Sequence, residues 1–324
     1  MKHLLFIILI SSSFLDARKT IVKLATLAPE GTDWHGMLLE MGQEWSALSK
    51  GSVRLKIYPG GVIGDERDMV RKMRIGQIHA AGITTEGLSE IVPDFSAYFV
   101  PLAYQTKEDI QAVTDAMLPS LEKQLEDNGF KLLHLGDIGW VYWFSSKPIR
   151  TPDELKKMKI FTWAGDFKWE RLWEKAGYNP VPLASVDILS GLQTGLINTF
   201  ATMPLYALSQ QSFSIANHML DLKWGVLMAG IIIDVKTWER IPKKYHKKLV
   251  GVTQSIQKKQ NTLNKEAELQ SIKMMKQYGL SIHTINNQEK DKWKDEVDKM
   301  SPDLRGDIIP SNIYDKVINL TNQQ

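Results

Sequence analysis

The chain has 324 residues, with 40 Lys and Arg against 37 Asp and Glu, a net charge of +3 that is too mild to argue for nucleic acid. It has no Cys, which excludes disulfides, thiolate metal sites, Cys nucleophiles and a lipidated N-terminal Cys. With 43% hydrophobic and 24% charged residues it has ordinary soluble composition, and its length suits two medium cores better than one large one.

Residues 1–17 read as a secretory leader. Lys2 and His3 give a short positive start, 4–10 is apolar, and Leu15-Asp16-Ala17 is a cleavage site. The apolar run is far shorter than a membrane span needs. Residues 21–27 alternate as a first strand. Thr32 or Asp33 then caps a helix carrying Trp34, Leu38, Met41 and Trp45 at helical spacing. Val53, Leu55 and Ile57 share one face of a second strand, closed by Pro59-Gly60-Gly61. Asp65 caps a helix that ends at Gly76. Residues 80–84 form a short strand of small residues that lets a ligand or a helix approach its backbone, with Thr84 at its end. Residues 106–118 are helical. Pro119 is expected to interrupt that helix, with a second piece running to about 125. Residues 131–135 form another strand.

The stretch 136–204 organises the rest. Two aromatic-rich strands, 140–145 and 159–163, flank a helix start at Thr151-Pro152-Asp153-Glu154. A helix over about 166–176 stops at Gly177, 179–182 is extended, and a helix from about Ser185 ends near Gly195. This alternation predicts an α/β domain with a parallel core, which places ligands outside the carboxyl ends of its strands. Those ends carry Phe161, Trp163, Phe200 and Met203. Trp140, Tyr142, Trp143, Phe144, Phe167 and Trp169 crowd the same region. Alternation points only half of each strand at any one face, so some of them belong to the core. Asp166 reads first as a helix cap. Residues 205–216 are expected to be helical and 227–235 a strand. Beyond Pro242, as far as Tyr278, there is no further Pro and only Gly251. That predicts one long helix or two abutting ones, spanning roughly 50 Å if continuous. A last strand at 280–284 and a helix at 288–300 follow.

No catalytic constellation assembles. Pro59 stands where a nucleotide fingerprint needs its first glycine, and there is no Gly-x-Ser-x-Gly or His-Glu-x-x-His. His35 reads as a satisfied or exposed histidine, and Asp65-Glu66 as a helix start. No cofactor or metal is expected, and an enzyme is the weakest reading.

The runs SSKPIRTPDELKKMKI, GYNPVPL and LQTGLI, with KIYPGGVIGDERDMVRKMRIGQIHAA upstream, resemble the periplasmic solute-binding subunits of TRAP transporters, the DctP family. FTWAGD and ATLAPEGTDWH resemble the subgroup that works with a tetratricopeptide-repeat protein. The resemblance implies an α/β, two-lobed periplasmic binding protein fold with a ligand cleft between the lobes and a long bridging helix. It implies a periplasmic location, and partners that include the membrane permease subunits. We expect one lobe from 18–137 plus 227–265 and the other from 138–226 plus 266–324, with crossings near Asp137 and Leu227. Most of the family grips a carboxylate with an Arg in a Lys-Ile-Arg-Val strand and often with a second Arg. Here those positions are Phe161 and Val141. The expected ligand is therefore apolar or amphipathic, held among Trp34, Thr84, Trp140, Phe161, Trp163, Asp166, Phe200 and Met203. Two alternatives stay open: a ligand-free adaptor of the same fold, and an ordinary carboxylate-binding subunit.

Overall fold

The computed structural model describes residues 19–321, leaving out the side chains at 257 and 259–265. The expected leader at 1–17 lies outside the described residues. The described residues form ten strands: β1 (Thr20–Thr26), β2 (Val53–Tyr58), β3 (Ala80–Thr84), β4 (Phe130–Ser145), β5 (Lys159–Trp163), β6 (Asn179–Leu183), β7 (Thr199–Thr202), β8 (His218–Leu220), β9 (Gly225–Asp234) and β10 (Ser281–His283). They run in the order β2-β1-β3-β9-β4-β7-β5-β6, with β8 and β10 branching from β4. The pairs β1–β2, β1–β3, β5–β6 and β5–β7 are parallel, while β4 and β9 are antiparallel to each other and to their neighbours β7 and β3. The core is mixed rather than parallel throughout.

β4 is the shared element. Its first two-thirds pairs with β9, and its last residues, Tyr142 to Ser145, pair with β7. The sequence reading divides this strand in two, at 131–135 and 140–145. The chain instead continues as one strand, with register shifts between Leu132 and His134 and between Asp137 and Gly139. Bulges of this kind bend a strand without ending it. Gly139 is needed at the second bulge. A Cβ there would sit 3.3 Å from the Met203 side chain.

The expected long helix is one unbroken element, Lys243–Gln277, of 35 residues. Its start packs on the Asp33–Leu48 helix, where the Trp45 Nε1–H donates to the Leu249 carbonyl at 3.2 Å. Further along it packs on β4, where the Tyr142 hydroxyl donates to Glu268 at 3.1 Å. It therefore bridges both lobes.

Three expectations need correction. Pro119 does not interrupt its helix, which runs unbroken as Lys107–Asp127. Pro119 is exposed, and its missing N–H removes one bond of the helix, to the carbonyl four residues back, without breaking the 21-residue element. The expected helix over 205–216 stops at Ser209. Gln211 sits at a φ of 56°, and only a short turn, Ser212–Ser214, follows. The strand β8 and the helix Ser311–Thr321 were not anticipated.

The Trp-rich composition resolves into a core. Trp143, Trp173, Trp224 and Trp293 form a chain of ring contacts with centroids 5.6–6.2 Å apart. The offset and edge-on geometries are those aromatic pairs favour. No described helix is long and apolar enough to cross a membrane.

Candidate functional site

The loop after β2, the start of the Glu66–Arg74 helix and the loop after β5 meet at the mouth of the cleft. Asp65 caps its helix through Oδ1, which accepts from the Glu66 N–H at 2.7 Å. Its Oδ2 accepts from the Ser185 N–H at 2.7 Å and the Ser185 hydroxyl at 3.2 Å, on the opposite side. Arg67 also spans the mouth. It pairs with Glu86 at 2.8 Å and Glu90 at 2.6 Å, donates to the Gly165 carbonyl at 3.0 Å, and lies 3.5 Å from Asp166. Gly61 touches the far side so closely that a Cβ would lie 2.6 Å from Val186. These contacts describe a closed cleft.

Behind them lies a cavity of about 160 Å³. β5 contributes Phe161 and Trp163, two residues apart on one face, with ring centroids 5.6 Å apart. The Asp33–Leu48 helix contributes Trp34, Leu38 and Met41, a stripe set by its helical spacing. β3 and β9 contribute small residues, Gly82, Ala229 and Gly230, whose lack of bulk leaves the space open. Ala201, Thr202 and Met203 close it from the end of β7.

The polar lining is sparse. Among the described residues, Glu66 is its one ionisable carboxyl, and no Arg or Lys lines the cavity. Burial pushes the Glu66 carboxyl up to about 7, against the hydrogen bonds that hold it down. Its oxygens accept from the Thr84 N–H at 2.8 Å, the Thr84 hydroxyl at 2.7 Å and the Gly87 N–H at 2.9 Å. Burial also lowers His134, to about 4, so its imidazole is neutral. At the mouth, burial and then Asp166 raise the Glu86 carboxyl.

Of the residues expected at the site, Trp34, Thr84, Phe161, Trp163 and Met203 line the cavity. The other three do not. Phe200 is fully buried on the opposite face of β7, stacked on its β4 partner Phe144 at 5.6 Å. Trp140 is buried beneath the Lys223 ammonium, 4.1 Å from its ring centroid. Asp166 caps the Phe167–Lys175 helix, accepting from the Trp169 N–H at 3.2 Å, and stands at the mouth beside Arg67. Val141 also faces away from the lining. His35 is buried and satisfied, accepting from the Gly31 N–H at 3.3 Å.

Sequence reasoning missed Glu66, His134, Ser185 and Tyr206. Glu66 sits beside a residue already explained as a cap. The one signal for His134 is an imidazole between apolar strand residues, and its direction depends on a bulge that sequence does not reveal.

Comparison with known proteins supplies the family. Residues 24–305 match the model for bacterial extracellular solute-binding protein family 7, DctP. A solute-binding protein of Roseobacter denitrificans is 26% identical over 197 residues. That match covers 58% of this chain and 58% of the relative, less than two thirds of its length. A TRAP periplasmic solute-binding protein from Xanthobacter autotrophicus, solved with bound β-D-galacturonate, superposes with a TM-score of 0.82 at 16% identity, covering 94% of this chain and 100% of that one. The sugar-acid-binding protein DctPAm from Advenella mimigardefordensis, in complex with galactonate, gives a TM-score of 0.87 at 13% identity, covering 94% and 99%. The chain belongs to bacterial extracellular solute-binding protein family 7, the DctP family.

Proposed function

We propose that this chain captures a neutral, apolar or amphipathic small molecule and delivers it to a TRAP permease. The observation that carries the reading is a cavity lining that, among the described residues, has no Arg or Lys and one carboxyl, Glu66. A carboxylate enclosed there loses its hydration and meets no cation among the described residues, at a cost of several kcal/mol per ion, on the order of what buried unpaired charges suffer. An apolar ligand instead gains roughly 25 cal/mol for each Å² buried against Phe161, Trp163, Met41 and Met203. The printed ligands of the superposed structures are sugar acids, so a carboxylate is the competing outcome. Tryptophan fluorescence tests the two, since Trp34 and Trp163 line the cavity. The expected result is a response to small neutral hydrophobic compounds and none to succinate or galacturonate. Micromolar binding of either acid would overturn the reading.

Export with loss of about the first 17 residues belongs to the same proposal, supported by the leader-like start of the chain. N-terminal sequencing of the native protein should begin near Arg18, and an intact Met1 would contradict it. The register shift between Asp137 and Gly139, opposite Leu227, supports the proposed lobe boundaries of 18–137 plus 227–265 and 138–226 plus 266–324. A tetratricopeptide-repeat partner rests on the FTWAGD and ATLAPEGTDWH resemblance alone. Affinity capture that recovers the permease and no such protein would remove it.

A further inference from the structure

Two polar atoms in the cavity wall are buried and without a partner among the described residues: the Trp34 Nε1–H and the His134 Nε2. Buried polar groups are satisfied in the great majority of cases, and an orphan is costly. Two other buried indoles are satisfied: Trp45 donates to Leu249 at 3.2 Å, and Trp293 donates to the Arg150 carbonyl at 2.8 Å. Trp143, in the core, shares the orphaned state of Trp34 among the described residues, but Trp34 is the one that lines the cavity.

The cavity also fixes size. About 160 Å³ is close to the ~150 Å³ of an engineered cavity that admits benzene.

Resting on the function proposed above, we infer that the ligand is a neutral molecule about the size of a six-membered ring, carrying an oxygen that accepts from Trp34 Nε1–H. An indole N–H only donates, so its partner must be an acceptor. The His134 imidazole gives or takes a hydrogen bond according to tautomer, so a carbonyl or a hydroxyl both suit it. A ligand anion meets no cation among the described lining residues. The Glu66 oxygens already accept three hydrogen bonds from the protein, which leaves them little capacity for a ligand cation.

The test uses four probes of similar skeleton, acetophenone, ethylbenzene, benzoate and benzylamine, titrated calorimetrically into the purified protein. Acetophenone should bind on the order of tenfold more tightly than ethylbenzene, the gain from giving one orphaned donor a partner. Trp34→Phe keeps a ring and has no N–H, and should bring the two affinities together. Equal binding of the two neutral probes by the unmodified protein would overturn the oxygen assignment while leaving an apolar ligand standing. A gap that survives Trp34→Phe would overturn the role of Trp34. Preference for benzylamine would make Glu66 the anchor and also overturn it. Binding of benzoate alone would overturn the proposed function together with this inference.

Discussion

Gly61→Ala isolates the closed state. Gly61 follows β2 at a φ of +73°, and a Cβ there would lie 2.6 Å from Val186 and 3.1 Å from Leu27. Two costs separate cleanly. The left-handed backbone costs any L residue roughly 1–2 kcal/mol, whether the cleft is open or shut, and should appear as lower thermal stability. The clash with Val186 exists only when the lips meet. Overpacking costs about 1–3 kcal/mol. Val186 is 46% exposed and can yield, so the lower part of that range applies. The closed state, and with it ligand affinity, should then weaken by roughly 5- to 30-fold. Small-angle scattering should show a larger radius of gyration, and acetophenone titration the weaker binding. Adding Val186→Ala should restore affinity without restoring the lost thermal stability. Unchanged affinity in Gly61→Ala, or no rescue by Val186→Ala, would refute the closed-lip geometry.

Glu66 makes stability depend on pH. Its carboxyl rises from 4.5 to about 7 on folding, so the stability linked to its proton is fully present below pH 4.5 and is lost as pH rises through 7. The limit is about 3 kcal/mol, and Glu66→Gln should flatten the denaturation midpoint between pH 5 and 8. An unaltered slope would rule this out. Ile256→Pro breaks the long helix at a buried position, 8% exposed, and should cost about 3 kcal/mol or more. A melting temperature within a degree of the parent would mean that the helix does not tie the lobes together.

Much of this was legible in the sequence, and for local reasons. Thr32, Asp65 and Asp166 cap helices as side-chain chemistry dictates. Gly195 ends its helix in the left-handed conformation at a φ of 69°. Phe161 and Trp163 point the same way because a strand alternates, and their strand end faces the cleft. What stayed hidden depends on partners distant in sequence. Phe200 looked equivalent to Met203 until its register opposite Phe144 turned it inward. Trp140 lies under Lys223 rather than in the cavity because β4 continues as one bulged strand from Phe130 to Ser145. Asp166 was legible as a cap, but its position beside Arg67 depends on contacts across almost a hundred residues. Glu66 reached the cavity only through hydrogen bonds to Thr84 and Gly87.

The lips have a kinetic meaning. Arg67 holds Glu86, Glu90, Gly165 and the neighbourhood of Asp166 at once, and Asp65 holds Ser185. Burial makes Glu86 and Asp166 weaker acids, and the Arg67 side chain is 25% exposed, so salt can reach the knot. A molecule inside cannot leave until it opens. Its residence time is then set by the gate and hardly by its own contacts, and two cargoes of unequal affinity should depart at similar rates. Release of whatever the cleft holds becomes a matter of parting the Arg67 and Asp65 contacts, and raising ionic strength should shorten occupancy even for a ligand that carries no charge.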